Sequence, residues 1–254
     1  MVVILIGGEK GETGKTTLST NLAIMANLMG DNVLLLDADK QASSAKSIAH
    51  RHDKGLTPTP TYVQIRGKYL HKEIEDLSTR YQLIIIDAGD QDSVELRSAI
   101  STPSVERLYT PLQPSEFDLG TLSIMDELIY TAKAFNQNLN AFVIFNQSPT
   151  HAKIKSIGEA KEFSRDYENV TICNTMISHR VSFQYAATHS MAVVEFEFER
   201  MRALPSWQTK GYVPKASIEL CNLYKEIFNQ KFNHKITDSL FKGSDRANLR
   251  KDTS

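Results

Sequence analysis

Short runs of apolar residues alternate along this chain with segments in which apolar residues recur every three or four positions. The short runs predict β-strands, and the first three are apolar at every position, as is typical of strands covered on both faces. The predicted strands are Val2–Ile6, Val33–Leu36, Leu83–Ile86, Arg107–Thr110, Ala141–Phe145 and Val170–Ile172. This alternation of strands and helices predicts an α/β fold, with a mainly parallel twisted sheet and helices on both faces.

Three segments have the periodicity of amphipathic helices. They are Thr16–Met29, Phe117–Phe135 and Ile218–Phe232. Gly30 follows the first of them, at the position of a helix C-cap. Lys54–Gly67 is predicted to be a surface connection that contains one short strand. We therefore predict one domain over residues 1–242 and a polar, disordered tail over residues 243–254.

Composition excludes some classes of protein and indicates a kind of partner. The 254 residues contain no apolar run of about 18 residues, so no transmembrane helix is expected, and the short apolar start is not a signal peptide. Cys173 and Cys221 lie far apart and match no metal-binding spacing, which favours reduced core residues of a cytoplasmic protein. Residues 200–254 contain 11 Lys and Arg against 5 Asp and Glu. This excess indicates an anionic partner or, alternatively, a solvated helix with a frayed tail.

The stretch GETGKTT stands between the first predicted strand and the first predicted helix. A Walker A phosphate-binding loop requires this context. Gly14 lets the backbone turn so that N–H groups point at phosphate oxygens, Lys15 brings a charge to the β- and γ-phosphates, and Thr16 offers a hydroxyl to Mg²⁺. Thr17 can reach the α-phosphate. The strict pattern G-x-x-x-x-G-K-[ST] fails only at its first position, where Glu9 stands.

Two predicted strands end in aspartates. VLLLDAD places Asp37 and Asp39 at the tip of the second strand, and LIIIDAGD places Asp87 at the tip of the third. Because the carboxyl ends of parallel strands meet at one edge of a sheet, these carboxylates are predicted to lie beside the phosphate loop. An aspartate there can hold Mg²⁺ through water. For each aspartate taken alone, helix capping or turn formation is the alternative.

These motifs resemble the ParA/MinD-type deviant Walker A ATPases, a group of the SIMIBI class of P-loop NTPases. The family pattern K-G-G-x-G-K-[ST]-T appears as KGETGKTT, and D-x-D-P-Q appears as DADKQ. TPLQPSEFD is similar to the P-x-x-P-S-x-x-D-F stretch of short plasmid-type proteins such as ParF, and Ile177 and Arg180 fall on a late I-x-x-R pattern. The resemblance covers roughly residues 1–198 and implies a single P-loop ATPase domain.

The resemblance implies a role for each matching residue. Lys10 would reach the phosphate of ATP bound to a partner subunit, Lys15 would be the usual phosphate-loop lysine, and Asp39 would orient the attacking water. Asp87 would be the Walker B aspartate. Asn146 would lie near the adenine, with a turn-forming asparagine as the alternative. The implied nucleotide-binding residues are Gly11, Glu12, Thr13, Gly14, Lys15, Thr16, Thr17 and Asn146, and the implied Mg²⁺ residues are Thr16, Asp39 and Asp87.

Two residues depart from the family pattern. Glu12 replaces the second glycine of the loop, and Lys40 replaces the proline after D-x-D. A glutamate at position 12 costs about 1–3 kcal/mol of strain if its φ is positive. Its charge must also point away from the nucleotide or find a partner. We therefore expect an ATPase with a weak basal rate, and a nucleotide-binding adaptor with little hydrolysis remains an alternative.

The resemblance also implies a biological function, the ATP-dependent partitioning of DNA. Relatives form homodimers around ATP and bind DNA without sequence preference, and a small centromere-binding protein of the ParB/ParG type stimulates their hydrolysis. The first predicted strand begins at residue 2, so we expect the short type without an N-terminal helix-turn-helix, located in the cytoplasm on the nucleoid. Because Lys and Arg neutralise DNA phosphates, the candidate DNA-binding residues are Arg180, Lys210, Lys215, Lys231, Lys235, Lys242, Arg246 and Arg250.

Two other functions of the same fold are weighed against partitioning. A MinD-like membrane-cycling ATPase needs a terminal amphipathic membrane helix, and Ile218–Phe232 is amphipathic but precedes a long polar segment. Docking of this helix on the sheet is the simpler explanation, so no stable membrane association is expected. A relative of the nitrogenase iron protein needs a cysteine pair at its dimer interface, and Cys173 and Cys221 do not match that position.

Overall fold

The computed structural model describes residues 1–8, 10–89, 93–114, 122–149, 158–159, 162, 164–205 and 212–233. Within these ranges the chain forms seven strands, eight α-helices and one short 3-10 helix, Ser164–Asp166. The strands are β1 (Val2–Ile6), β2 (Val33–Asp37), β3 (Thr61–Gln64), β4 (Leu83–Asp87), β5 (Arg107–Leu112), β6 (Asn140–Ser148) and β7 (Val170–Ser178). The helices are α1 (Lys15–Leu28), α2 (Ser43–Asp53), α3 (Leu70–Ser78), α4 (Val94–Ile100), α5 (Leu122–Ala132), α6 (Val181–Thr188), α7 (Val193–Ala203) and α8 (Lys215–Phe228).

The seven strands form one parallel sheet in the order β3-β2-β4-β1-β5-β6-β7. β1 lies near the centre, between β4 and β5, so the loop that follows β1 emerges in the middle of the carboxyl edge of the sheet. The register pairs Asp87 with Ile6 on one side and with Asp37 on the other. This topology confirms the predicted parallel α/β sheet and brings the ends of β2 and β4 beside the phosphate loop.

Residues of β1 alternate between two hydrophobic layers. Val3 and Leu5 belong to the layer that includes α3, α4 and α5, whereas Ile4 and Ile6 belong to the layer that includes α1, α7 and α8. None of the four side chains is exposed. Burial of each such side chain stabilises the fold by roughly 1.5–3 kcal/mol. Because both faces of the strand are covered, every position must be apolar, and this is why the strand was predictable from sequence.

Several elements differ in length from the predictions. β6 ends at Ser148 and β7 at Ser178, each beyond the predicted strand, because pairing between them continues through polar residues after the apolar run has stopped. α8 begins at Lys215, directly after Pro214, whose fixed φ suits the start of a helix. The second predicted helix, Phe117–Phe135, is described only over α5; its first residues lie outside the described ranges.

Gly30 and the last helix match the predictions from the sequence. Gly30 has a φ of 94° directly after the C-cap of α1, as expected for a helix terminator. The apolar stripe of α8 packs into the core rather than facing solvent; its members are Leu220, Leu223, Tyr224 and Ile227. No helix among the described residues has the length and apolar character needed to cross a membrane. Cys173 is buried and Cys221 is partly buried, they form no disulfide with each other, and burial raises the pKa of Cys221 to about 12.

Candidate nucleotide-binding site

The loop between β1 and α1 lies tightly against the neighbouring strands. A Cβ atom at Gly8 would lie 2.7 Å from the methyl carbon of Thr110 on β5, so the backbone could not lie here with a side chain at that position. Gly14 is the N-cap of α1 with a φ of 90°, and a Cβ there would collide with the side-chain amide of Asn146. Both the left-handed backbone and the close approach therefore require glycine at position 14, as the phosphate-loop interpretation predicts.

Lys15 begins α1 and bends back over the loop. Its side chain is buried, with the residue only 6% exposed, and its Nζ donates a hydrogen bond of 2.6 Å to the main-chain carbonyl of Lys10. A positive charge held over the N-terminus of a helix favours the binding of an anion at that place. The arrangement therefore presents two sources of positive potential, Lys15 and the N-terminus of α1, on the concave side of one loop.

Asp87 at the end of β4 accepts two hydroxyl hydrogen bonds from α1. Thr16 Oγ1 donates to its Oδ2 over 2.9 Å, and Ser19 Oγ donates to its Oδ1 over 3.0 Å. Asp87 is 1% exposed, and burial, with a smaller contribution from the neighbouring carboxylate of Asp37, raises its pKa to about 7. The hydroxyl hydrogen bonds oppose this increase without cancelling it. The sequence predicted Thr16 and Asp87 together, but Ser19 was missed, although its position one helical turn after Lys15 was a usable signal.

These residues fit a magnesium ion. Mg²⁺ prefers oxygen ligands and retains several waters, so one or two protein oxygens plus nucleotide phosphates suffice for it. Among the described residues there is no group of three or more His, Cys, Asp or Glu side chains that could hold a metal on its own. A buried carboxylate whose pKa is raised, beside the hydroxyl of Thr16, is a suitable partner for a divalent cation, because the cation would stabilise the ionised carboxylate.

The two aspartates of the DAD motif have different surroundings. Asp37 is fully buried and accepts hydrogen bonds from the hydroxyl of Ser44, the N–H of Ala45 and the N–H of Asp39, at 2.7, 2.8 and 2.9 Å. It therefore caps the start of α2, which was the alternative for each aspartate alone. Asp39 is only half-buried, and a Cβ atom at Gly89 would lie 3.0 Å from its Oδ2. Its carboxylate therefore lies at the rim between the ends of β2 and β4.

Glu12 has the positive φ that was considered from the sequence as a source of strain. Its φ is 60°, in the left-handed region that favours glycine, and its side chain is exposed. The carbonyl of Glu12 accepts a 2.9 Å hydrogen bond from Nε2 of Gln147. Similarly, Nδ2 of Asn146 donates over 2.6 Å to the carbonyl of Thr13. The charged group of Glu12 thus points away from the protein while its backbone is held by β6. Glu9 lies outside the described residues.

A cavity of about 210 Å³ opens beside the loop, between the start of α1, the end of β6 and the start of α6. Thr17, Asn146 and Gln147 line its polar side, and Phe183 on α6 adds an aromatic ring. A flat ring with polar edges suits such a space, since the phenyl ring can pack on its face while the amides reach its edge. Asn146 therefore both lines this cavity and fixes the loop, whereas Phe183 was not recognised from the sequence.

The predicted DNA-binding residues separate into three groups. Arg180 forms an ion pair with Glu219, with Nε at 3.1 Å and Nη2 at 2.5 Å from Oε1, and Lys215 is exposed nearby; both line a surface cavity of about 360 Å³ with Arg200. Lys231 is exposed beyond the other end of α8, about 20 Å from Lys215 along the helix. The remaining candidates lie outside the described residues; these are Lys210, Lys235, Lys242, Arg246 and Arg250.

The fold and the loop geometry define an α/β nucleotide-binding protein, and comparison with known proteins gives its family. Residues 4–191 match the model of the CobQ/CobB/MinD/ParA nucleotide binding domain. The chain belongs to this family, which is a family of ATPase type, and the resemblance to ParA and MinD proteins is confirmed.

Individual relatives are distant in sequence but similar in length. The sporulation initiation inhibitor protein Soj of Bacillus subtilis is 22% identical over 239 residues, covering 77% of this chain and 91% of Soj. MinD of Pyrococcus horikoshii in complex with Mg-ADP has a TM-score of 0.60 at 20% identity, covering 89% of this chain and 96% of that one. A plasmid partition protein of Borrelia burgdorferi bound to AMPPNP has a TM-score of 0.56 at 16% identity, covering 78% and 99%. These structural similarities show the fold alone.

Proposed function

We propose that this chain is an ATP-dependent DNA-partitioning ATPase that dimerises around ATP and Mg²⁺ and binds DNA without sequence preference. The observation that carries the proposal is the grouping of the buried Lys15, Thr16 and the buried Asp87 at the mouth of one loop. Phosphate groups and a divalent cation are the ligands that suit a lysine, a hydroxyl and a carboxylate in this arrangement. A small centromere-binding protein of the ParB/ParG type would stimulate hydrolysis, in the cytoplasm on the nucleoid.

Each residue of the site has a distinct task in this proposal. Lys15 and the N–H groups of residues 11–17 would bind the phosphates, and Thr16 and Asp87 would hold Mg²⁺, which would supply positive charge beside them. Asp39, at the half-buried rim of the sheet, orients the attacking water. Lys10 reaches toward a second subunit, so that the site is completed only in a homodimer.

The DNA-binding part of the proposal is supported by the position of the surface cavity of about 360 Å³. Arg180, Arg200 and Lys215 lie around one depression, and His179 and Arg180 line both this depression and the candidate nucleotide cavity. Arg200 and Lys215 can neutralise backbone phosphates and so supply non-specific affinity, whereas Arg180 is paired with Glu219. Because the two cavities share a wall, nucleotide occupancy can influence how the cations are presented.

Co-sedimentation with plasmid DNA, in ATP, ADP or no nucleotide, tests the proposal. We expect dimers in light scattering and DNA association only with Mg-ATP, and a steep loss of DNA binding between about 50 and 200 mM salt. Lys15→Ala should weaken Mg-ATP binding by about 100-fold, because a buried charge contact to phosphate is lost. Equal DNA association in all three nucleotide states would contradict the partitioning function.

Two further measurements separate the alternative functions. ATP-dependent flotation with anionic liposomes would favour a membrane-cycling ATPase over a DNA-binding one. Turnover of ATP no higher than that of Lys15→Ala, with and without DNA, would favour a nucleotide-binding adaptor, for which the unusual Glu12 is the specific reason.

A further inference from the structure

Two glutamine side chains connect the phosphate loop to the ends of β5 and β6. Gln147 Nε2 donates a hydrogen bond of 2.9 Å to the carbonyl of Glu12. Gln113, directly after β5, donates from its own Nε2 to Oε1 of Gln147 over 3.1 Å. The amide of Gln147 is therefore oriented on one side by Gln113 and on the other by the loop, and its donor end is directed at Glu12.

The contact between Gln147 and Glu12 fixes the direction of a peptide group. In a trans peptide the carbonyl of one residue and the N–H of the next point in opposite directions. Holding the Glu12 carbonyl toward β6 therefore directs the Thr13 N–H away from β6, toward the inside of the loop. Asn146 acts in the same way on the next peptide, because it holds the carbonyl of Thr13. In a phosphate-binding loop these N–H groups are the ones that must face the ligand.

Glu12 makes this restraint necessary. Its φ of 60° lies in a region that glycine enters freely but that is disfavoured for a residue with a Cβ atom. Without a restraint the backbone at Glu12 would relax to negative φ, and the Thr13 N–H would rotate with it. Gln147 itself has a φ of 52° and lies at a register shift between β6 and β7, and irregularities of this kind can redirect a side chain.

We propose that Gln147, oriented by Gln113, is a positioning residue that holds the phosphate loop in its binding conformation and compensates for the glutamate at position 12. This inference rests on the proposed nucleotide-binding function and adds to it a residue outside the loop. The contribution of Gln147 to nucleotide affinity should therefore depend on which residue occupies position 12, because only a residue with a Cβ atom needs the restraint.

A double-mutant cycle on the full chain tests this dependence. Gln147→Leu, which removes the amide but keeps a similar volume, is made in the parent chain and in Glu12→Gly, and binding of fluorescent mant-ADP with Mg²⁺ is titrated. We expect Gln147→Leu to weaken binding about tenfold in the parent chain and no more than about twofold in the Glu12→Gly background. Gln113→Leu, which leaves Gln147 in place, should weaken binding by about threefold in the parent chain only.

Two controls separate positioning from a general structural effect. Gln137→Leu changes an exposed glutamine near the amino ends of the strands, away from the phosphate loop at their carboxyl ends. It should leave mant-ADP affinity unchanged. Without nucleotide, Gln147→Leu should lower the melting temperature by a similar amount in both backgrounds. The loss of mant-ADP affinity should instead differ between the two backgrounds. If Gln147→Leu does not fold, Gln113→Leu in the parent chain and in Glu12→Gly gives the same comparison.

The outcomes distinguish this inference from the function on which it rests. Failure of the parent chain to bind mant-ADP or mant-ATP with Mg²⁺ would overturn the nucleotide-binding proposal itself. Binding by the parent chain with the same fold-loss for Gln147→Leu in both backgrounds would overturn only the positioning role. A smaller loss in the Glu12→Gly background supports it.

Discussion

The buried ion pair of Arg51 and Glu195 and the buried carboxylate of Asp87 differ in how far partners within the chain compensate their charge. Arg51 on α2 and Glu195 on α7 form a bidentate ion pair, with Nη2 to Oε1 at 2.7 Å and Nη1 to Oε2 at 2.8 Å, and Arg51 has no exposed surface. The guanidinium also donates to the carbonyls of Pro58 and Ser190, and Glu195 accepts the N–H of Ala192. All of the polar groups of this pair have partners from within the chain.

Asp87 is as deeply buried but has a different set of partners. Its two oxygens accept hydrogen bonds from the neutral hydroxyls of Thr16 and Ser19, and its closest charged neighbour in the sheet is another carboxylate, Asp37. Burial, with a smaller contribution from the carboxylate of Asp37, raises the pKa of Asp87 to about 7. The comparison teaches that burial alone does not identify a functional site. A buried charge whose compensation is incomplete within the chain indicates a ligand.

Breaking the internal ion pair should give the largest effect on stability. Arg51→Ala leaves the carboxylate of Glu195 buried without its cation, and we expect the free energy of unfolding to fall by about 3–5 kcal/mol. Urea denaturation followed by circular dichroism measures this change. Mant-ADP affinity of the folded fraction should stay within about twofold of the parent chain, because the pair is not part of the phosphate loop. A large loss of mant-ADP affinity at unchanged stability would mean that the Arg51–Glu195 pair belongs to the binding site and does not mainly stabilise the fold.

The pH dependence of stability should report the uncompensated Asp87. Because its pKa is raised in the folded chain from 3.8 to about 7, its favourable contribution is complete below pH 3.8 and is lost as the pH rises through 7. Without nucleotide or Mg²⁺, we expect the parent chain to lose about 2–4 kcal/mol relative to Asp87→Asn between pH 4 and pH 8. Urea denaturation in EDTA across this range gives the difference, and parallel curves for the two proteins would contradict it.

Breaking an exposed ion pair should have the smallest effect on the free energy of unfolding. It serves as the reference for the predictions on Arg51 and Asp87. Arg80 Nη2 lies 2.6 Å from Oδ2 of Asp76, but both side chains are more than half exposed. Water screens such a pair, so Arg80→Ala should change the free energy of unfolding by no more than about 0.5 kcal/mol at any pH. The same urea denaturation experiment measures it. A loss comparable to that of Arg51→Ala would mean that short distance, and not burial, decides the contribution of these pairs.

Sequence patterns predicted the elements whose physical demands are local. β1 is apolar throughout, and β2 and β4 are apolar up to their terminal aspartates, because both faces of each strand are covered. The GKTT motif marks the start of α1 because the loop chemistry needs those residues in sequence. Prediction was poorer where β6 continues through Asn146–Ser148, since polar residues that serve the edge of the sheet look like a turn. The same pattern hid Gln147, whereas Asn146 was named from the sequence but not for its hydrogen bond to the loop.

The sequence by itself determined the buried strands, the helix after the phosphate loop, the last helix, the loop itself and the family, since these depend on periodicity and on residues that are neighbours in the chain. Tertiary structure alone decided that Asp37 caps a helix while Asp87 lies beside Thr16, and that Gln147 holds the carbonyl of Glu12. Asp37 caps a helix that begins only a few positions later, but Thr16 and Asp87 are 71 positions apart, and Glu12 and Gln147 are 135 apart, so the sheet order is needed to bring those two pairs together. Hydrogen bonds depend on distance and direction in space, so their partners are fixed by folding and leave no periodic signal in the chain.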